Sequence, residues 1–362
     1  MAALTGNTDC KSIEESINYN IKNILNELNN DYCIDKRVSR DVIRKTVMLA
    51  NTENFNNLMK TLIFLSENPN ERPILALDGQ YIAATSENKN TNPHAANSIG
   101  ILSLFNVKNM RTVAQQILDR HDSESKVGPD FLNRTNIEKA IITADAASCS
   151  GAFINAVIEG NADYCIALKG NQGTLFEDTK LLFQSEDNQI VYKPDLTLDH
   201  GRIEQITAYL IQGNKLPKEY TEKFRGLKEG SFVKIEKYSY DKAKSKERKK
   251  AERYFITSLS SSEYTIEEIV EIIRQHWRIE NCLHWKSDMH FDQDRMQAKN
   301  LTYIENRSCL NKHGLFMLEK YRQWLIDTER EKSVSIHVLK QRCSYSIKVA
   351  TECLALAFGL IP

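Results

Sequence analysis

Hydrophobic positions in residues 1–70 recur at helical spacing, so this segment predicts helices rather than strands. Ile13 and Ile17 open one series, and a second series begins at Val42. Side chains three or four residues apart lie on the same face of a helix. Pro73 comes after the second series and marks the end of the pattern. We therefore predict a helical N-terminal region that packs on the neighbouring part of the chain.

From residue 71 the pattern changes to short apolar runs that are typical of strands. The segment Ser150–Glu159 has helical spacing between two such runs, and strand–helix–strand order indicates a mixed or parallel sheet. The spacing in Thr112–Leu118 predicts another helix. We expect residues 71–170 to form the first part of an α/β core. The predicted strands are Ile74–Leu77, Ile99–Phe105, Ala140–Ala144 and Tyr164–Leu168.

Residues 171–260 are less regular and partly β. A helix is predicted over Leu175–Phe183, and Ile203–Ile211 and Ser231–Tyr240 alternate like exposed strands. The run Lys242–Arg253 carries seven basic residues against two acidic ones.

The rest of the chain predicts helices. A long helical stretch starts near Thr265, with Glu267 and Glu268 in its first turn, where the helix dipole favours acidic side chains. We assign it to a region spanning 261–310, and expect a helical C-terminal region over 311–362.

Composition narrows the class of protein. With 362 residues, 41% of them hydrophobic and 27% charged, the chain has room for a large core and the balance of a globular protein. Its formal net charge is zero, so any basic surface for nucleic acid must be local. No apolar run is long enough to span a bilayer, and we expect a cytoplasmic protein with no membrane partner.

The cysteines are scattered without a Cys-x-x-Cys motif, which indicates neither a zinc site nor a disulfide framework. They are residues 10, 33, 149, 165, 282, 309, 343 and 353.

Three acidic residues have the local settings that a two-metal phosphoryl-transfer site needs. Asp78 and Asp145 each come directly after an apolar run, and Glu280 lies in a predicted helix. Adjacent strands lie about 4.8 Å apart, so two strand-end aspartates can share one metal ion. Singly, each acid has an ordinary interpretation as a turn, a cap or a solvated charge. Only the combination predicts a metal-dependent site.

Four polar residues, of which Glu280 is one, are spaced four positions apart, which predicts that they share one helix face. That face would either line an active cleft or meet solvent. A zinc site is disfavoured because the sequence contains no His-Glu-x-x-His motif. The four residues are His276, Glu280, His284 and Asp288.

Six sequence blocks occur in the order found in one family. They read LALDGQ, AIITADAASCSGAF, YCIALKGNQGTLFED, HGRIEQ, YFITSL and RQHWRIENCLHWKSDMHFDQD. On these blocks the chain resembles the ISAs1 family of transposases, which are IS4-like DDE transposases also called H-repeat-associated proteins. The resemblance covers about residues 71–310, and the two ends of the chain match less clearly.

The resemblance implies a fold and an activity. The implied fold is α/β: an RNase H-like mixed five-stranded sheet with flanking helices, a mainly β insertion over 171–260 and the helical N-terminal region. Asp78 would lie on the first strand, Asp145 after the fourth and Glu280 on a late helix, together binding Mg²⁺, with Mn²⁺ as an alternative. Members cut double-stranded DNA at transposon ends and join the 3′-OH to target DNA, which implies a dimer on DNA.

The resemblance also implies residues at the DNA interface. Lys169, Asn171 and Gln172 would contact phosphate or orient groups beside the site, and Arg202 would contact the DNA backbone. The tryptophans near Glu280 would either stack on an extruded base or pack in the core. The remaining implied residues are His200, Lys249, Lys250, Arg253, His276, Arg278, Asn281, His284 and Trp285.

Two departures from the family pattern leave alternatives open. Gln80 stands where the family usually has a lysine, and Lys286 where it tends to be apolar. A first alternative is a decayed transposase that only binds DNA, and a second is an RNase H-like nuclease without strand transfer. A purely structural protein would leave the grouped acids without a purpose.

Overall fold

The computed structural model describes residues 4–5, 9–27, 37–62, 71–86, 97–185, 189–199, 202–215, 217–241 and 246–360. Its strands are β1 Ile74–Tyr81, β2 Gly100–Asn106, β3 Arg111–Leu118, β4 Ile141–Ala144, β5 Asp163–Leu168, β6 Ile190–Tyr192, β7 Thr197–Asp199, β8 Arg202–Gln212, β9 Ser231–Asp241 and β10 Lys246–Thr257. Its helices are α1 Cys10–Glu27, α2 Arg40–Leu49, α3 Thr52–Leu62, α4 Glu124–Asn133, α5 Gly151–Glu159, α6 Gly173–Ser185, α7 Lys218–Lys223, α8 Ile266–Gln275, α9 Trp285–Phe291, α10 Leu301–Asp327, α11 Ile336–Tyr345 and α12 Ile347–Ala357. The mixed α/β class is as predicted.

The chain divides into two compact units. Unit 1 contains Met1–Asn70, Gly79–His121 and Ile279–Pro362. Unit 2 contains Glu71–Asp78 and Asp122–Arg278. The domain limits drawn from the sequence remain a prediction.

Unit 2 is built on a mixed sheet. Its strand order is β1-β4-β5-β10-β9-β8-β6, with β7 paired to β8. β1, β4 and β5 are parallel, and the strands beyond them pair antiparallel. All four residues of β4 are buried, as are Leu75, Ala76 and Leu77 of β1. Continuous apolar runs suit parallel strands that are covered on both faces.

The sheet of unit 2 continues past β5 instead of ending there. β10 pairs antiparallel with β5 over Tyr254–Thr257, so strands assigned from the sequence to an insertion extend the same sheet. Extension satisfies the backbone groups that an edge at β5 would leave open. α8 starts at the capping box of Thr265 and Glu268. Its apolar face, with Ile269 and Ile273, packs in a core shared with residues of β8, β9 and β10.

Unit 1 combines helices with a short piece of sheet. β2 and β3 form an antiparallel pair, and Gly79–Tyr81 of β1 complete the order β3-β2-β1. The helix predicted over Thr112–Leu118 is wrong, since this segment is β3. A bulge leaves Val113 unpaired, because Leu104 pairs with Ala114 and Phe105 with Thr112. The extra residue produces a three-residue interval between buried positions, which resembles helical spacing.

α10 is the long helix of unit 1, and it buries an unusual number of polar side chains. Lys312 is 2% exposed and donates to Ser103 Oγ at 2.7 Å. Asn306 donates to backbone carbonyls of Val47 and Ala50, each at 2.9 Å. These contacts attach α10 to β2 and to α2. The helices predicted after residue 300 are confirmed. None of the described helices combines the length and apolar character that a bilayer-spanning segment requires.

Candidate active site

Asp78 and Asp145 come directly after paired positions on neighbouring parallel strands. Leu77 of β1 is opposite Ala144 of β4, and the next residue of each chain segment is an aspartate. β1 continues to Tyr81, so Asp78 lies within its strand, whereas Asp145 begins the turn after β4. Neighbouring strands are about 4.8 Å apart. The register therefore brings the two aspartates to the same level of the sheet.

The Asp145 carboxylate is held in its ionised form. Its Oδ1 accepts the backbone N–H of Ala146 at 2.8 Å, and Lys169 Nζ lies 3.2 Å from Oδ1 and 3.3 Å from Oδ2. Partial burial acts to raise the pKa of this carboxyl. The two donors outweigh burial, so the pKa of Asp145 is lowered. At neutral pH the carboxylate is negative and already paired with a cation.

The turn after β5 is hydrogen-bonded to the turn that contains Asp145. Asn171 Nδ2 donates to the carbonyl of Ala146 at 2.6 Å, and Gln172 Nε2 donates to the carbonyl of Cys149 at 2.6 Å. Both amides therefore satisfy backbone carbonyls that would otherwise need solvent. Of the two roles expected for these residues, orientation is the one that these contacts support.

A cavity of about 170 Å³ opens beside Asp145 in unit 2. Its wall includes Lys169, Phe176, Arg253 and Trp277. The Arg253 guanidinium lies 4.8 Å from the centroid of the Trp277 ring, which is 44% exposed. A cation over an aromatic face is attracted by the ring quadrupole. The cavity thus combines aromatic faces with two cationic side chains next to an ionised carboxylate.

His276 forms another part of this cavity and is neutral. Its Nδ1 lies 3.2 Å from Thr143 Oγ1 of β4. Burial lowers the pKa of His276 to about 4, although the charge of Asp145 opposes the shift. The imidazole is therefore uncharged at neutral pH, and it acts as a hydrogen-bonding group and not as a cation.

Glu280 lies in unit 1, in a π-helical turn over Ile279–His284 that precedes α9. Its side chain is exposed, as are those of Asn281 and Trp285, whereas His284 is buried. The predicted single face for the four residues spaced by four is wrong. A π-helical turn bonds residues five apart and shifts the spacing of all later positions in the helix.

Gln80 is buried and hydrogen-bonded in unit 1. Its Nε2 donates to Asp288 Oδ1 at 2.7 Å and to the carbonyl of His284 at 3.4 Å. Burial, with the charge of Asp294, raises the pKa of Asp288 to about 7. Gln80 thus connects the part of β1 that lies in unit 1 to α9 and the π-helical turn before it. The sequence comparison, which noted only that Gln80 stands where the family usually has a lysine, missed this role.

We expect Gln80→Leu to destabilise the protein by about 1–3 kcal/mol, since a half-buried carboxyl loses its donor. The loss grows between pH 6 and pH 8 because the ionised form of Asp288 needs the donor most. The pKa of Asp288, measured by NMR titration, rises further. Gln323→Leu is the matched control, because Gln323 makes the same 2.7 Å contact with Asp327 on an exposed surface. Equal losses for both variants in urea unfolding would contradict the assignment.

For several other residues predicted to contact DNA, the structure gives only the element in which each one lies. Arg202 begins β8, and Lys249 and Lys250 lie in β10, so most of the basic run belongs to a strand. His200 lies outside the described residues. Lys286, unexpected from the family pattern, forms an ion pair with Glu319.

Metal binding rests on the donor chemistry of the site. In the described part of the chain, no group of three or more His, Cys, Asp or Glu side chains is arranged to hold a metal ion. The two aspartates of unit 2 are nevertheless hard oxygen donors of the kind that Mg²⁺ prefers. The ammonium of Lys169 already sits between the oxygens of Asp145. This carboxylate therefore accepts a cation at its outer edge, and the donors fit a divalent ion.

Two contributing residues were not found from the sequence. Thr143 contacts His276, and Phe176 lines the cavity. Thr143 carried a usable signal, since it is the one polar residue in the apolar run Ala140–Ala144. Nothing in the local sequence of Phe176 distinguishes it from a core residue.

Comparisons with known proteins identify the family. A model of the transposase DDE domain matches residues 69–310, which is more than half of the chain. The protein YbfL of Escherichia coli K12 is 27% identical over 260 residues, and YhhI of the same strain, a candidate H repeat-associated transposase, is 26% identical over 260. These matches cover 70% of this chain and 66% of each relative, so the chain spans slightly under two thirds of their length. YncI of Escherichia coli O157:H7, a candidate transposase, is 28% identical over 79% of this chain and 70% of its own.

Among solved structures, a piggyBac transposase in a synaptic complex with hairpin DNA has a TM-score of 0.45 and 10% identity, over 88% of this chain and 60% of that one. The family assignment rests on the sequence model, whose match includes Asp78, Asp145 and Glu280. The chain therefore belongs to the family of proteins with a transposase DDE domain.

Proposed function

We propose that this protein is a transposase of an insertion sequence. It cuts DNA at the ends of its element and joins the freed 3′-OH to target DNA. Asp78, Asp145 and Glu280 are its catalytic carboxylates, carried on an RNase H-like core. The single observation that carries the proposal is the register of β1 and β4, which brings Asp78 and the ionised Asp145 to one level of the sheet within the region matched by the family model.

The three carboxylates would hold divalent metal, with Mg²⁺ as the natural ion and Mn²⁺ as a substitute. Bound there, the metal would activate the attacking oxygen and stabilise the leaving oxygen of an in-line displacement at phosphorus. In the first displacement a water oxygen bonds to phosphorus as the bond to the 3′ oxygen breaks. In the second, the oxygen of that 3′-OH bonds to a phosphorus of the target strand as the bond from this phosphorus to the target's own 3′ oxygen breaks, and that oxygen leaves as a new 3′-OH.

The chain's own residues prepare this chemistry. Asp145 stays ionised because Ala146 and Lys169 donate to it. Asn171 and Gln172 hold the two turns together, so the carboxylate keeps its direction. A neutral His276 adds no charge that would repel a metal ion. Preorganisation of this kind reduces the reorganisation that the transition state requires.

DNA would be held by basic and aromatic side chains. Lys169 and Arg253 line the cavity beside Asp145, where a phosphate would meet both charges. Trp277 offers an exposed face for stacking. Phosphate contacts of this kind make binding fall steeply with salt. Further candidates for DNA contacts are Arg202, Lys249, Lys250, Arg278, Asn281 and Trp285.

Paired element ends imply two copies of the chain, so we propose a dimer on double-stranded DNA. A mass measurement of the protein–DNA complex in solution tests this directly.

The experiment that tests the function uses purified protein and the DNA that flanks its reading frame. We expect Mg²⁺-dependent cleavage at short inverted repeats in this DNA and transfer of the new 3′-OH to a plasmid target. A scrambled repeat of the same length is the control, and a metal-free reaction gives the background. Gel analysis of labelled strands reports both steps.

The outcomes separate the alternatives. Cutting that ignores the repeat sequence indicates a nuclease without strand transfer, and binding without cutting indicates a decayed relic. The relic hypothesis drew on Gln80, but that side chain is buried and bonded to Asp288. Gln80 therefore has a structural role, and the cleavage assay is what tests the relic hypothesis.

A further inference from the structure

The ion pair between Lys169 and Asp145 occupies the face of the carboxylate that a metal ion would use. Lys169 Nζ lies almost equally far from the two oxygens, at 3.2 and 3.3 Å. Oδ1 accepts the N–H of Ala146 as well. A divalent ion that binds both oxygens needs the position of the ammonium, so the two cations compete for one carboxylate.

The Lys169–Asp145 ion pair is exposed, so it is weak and a competing cation can replace the ammonium. The Lys169 side chain is 63% exposed and that of Asp145 is 46% exposed. Ion pairs this exposed contribute little, because water and salt screen them and ordering a long side chain costs entropy. The lysine stem is flexible, and its ammonium is a mobile point charge. Displacement of the Lys169 ammonium from Asp145 by a divalent ion therefore costs little free energy.

We propose that Lys169 is an exchangeable counter-ion: its ammonium neutralises Asp145 in the metal-free protein and moves to a DNA phosphate when a divalent ion binds. This deepens the proposed function and rests on it. In the metal-free state the ammonium limits repulsion at the site between Asp145 and its neighbour Asp78. In the loaded state the same charge, on the wall of the cavity, holds the phosphate.

Two readouts of opposite sign are expected for Lys169→Gln. Without DNA, Mn²⁺ added alone binds more tightly, by about two- to fivefold, because its competitor is gone. With element-end DNA, cleavage slows by about tenfold or more, because a phosphate contact is lost. A merely structural lysine would not improve metal affinity. Electron paramagnetic resonance of free Mn²⁺ gives the affinity, and strand cleavage on gels gives the rate.

Two variants serve as controls. Lys126→Gln removes an equivalent charge, since Lys126 pairs with Asp122 at 2.9 Å elsewhere in unit 2, and it leaves both readouts unchanged. Lys169→Arg keeps the charge and preserves most of the cleavage rate, with Mn²⁺ affinity near that of the unaltered protein.

The results distinguish this proposal from the function itself. If Asp145→Asn reduces Mn²⁺ binding but Lys169→Gln behaves like Lys126→Gln, the exchange is overturned and the metal site stands. Weaker Mn²⁺ binding by Lys169→Gln also overturns it. If the unaltered protein shows no Mn²⁺ binding that depends on Asp145, the metal site of the proposed function fails, and the exchange fails with it.

Discussion

Asp145→Asn is expected to lower the Mg²⁺-dependent cleavage of element-end DNA by at least about 10³-fold, which corresponds to roughly 4 kcal/mol in the activation barrier. The amide keeps the shape of the side chain and can still accept from Ala146, but it loses the negative charge that attracts a metal ion. Measurement of strand cleavage at saturating protein separates this loss from weaker DNA binding.

Folding should survive this substitution. The pair with Lys169 is exposed, so its removal changes the free energy of unfolding by no more than about 1 kcal/mol. Asp130→Asn is the matched control, because Asp130 is an exposed aspartate of α4 in the same unit. It should cleave like the unaltered protein. Persistent Mg²⁺-dependent nicking by Asp145→Asn would remove Asp145 from the mechanism.

The second large effect concerns the stability of unit 1 and the buried lysine of α10. Complete burial lowers the pKa of Lys312 to about 7, against 10.5 for an exposed lysine. Between these two values the unfolded chain binds more protons at this residue than the folded chain does. Stability therefore rises with pH across this window, by up to about 1.4 kcal/mol per pH unit. Below pH 7 both states are protonated, and the full cost of burying the charge is present.

Lys312→Met should remove this slope, and urea unfolding at pH 7, 8 and 9 measures it. Because Ser103 would lose its partner, the double variant Lys312→Met with Ser103→Ala is the cleaner test. At pH 7 and below we expect it to be more stable than the unaltered protein by about 1–4 kcal/mol. Lys299→Met, at an exposed position, is the control. An unchanged slope in the double variant would show that Lys312 does not titrate in this range.

Much of the secondary structure was predictable because it is decided by local signals. The capping box at Thr265 and Glu268 and the apolar runs before Asp78 and Asp145 are written in consecutive residues. β3 was misread as a helix because a bulge is created by the register with β2, and register is a property of two strands.

The candidate site was also predictable from the sequence only in part. Sequence blocks pointed to the carboxylates, and the family model matches the region that contains them. The blocks did not reveal that Lys169 pairs with Asp145, that His276 is neutral, or that Gln80 donates to Asp288. Each of these depends on a partner at least 24 residues away in the chain, as in the Lys169–Asp145 pair. The state of His276 and the contact of Gln80 depend on burial as well.

Linear order alone was enough to settle the α/β class, the family and the residue types available for metal chemistry, because periodicity, caps and motif blocks are local. Only the tertiary structure revealed the charge states of the side chains and the hydrogen bonds by which Asn171 and Gln172 connect the two turns. It also revealed the shifted spacing of residues after the π-helical turn. The physical reason is that pKa values and hydrogen-bond partners depend on desolvation and on contact between distant segments. No local pattern encodes either one.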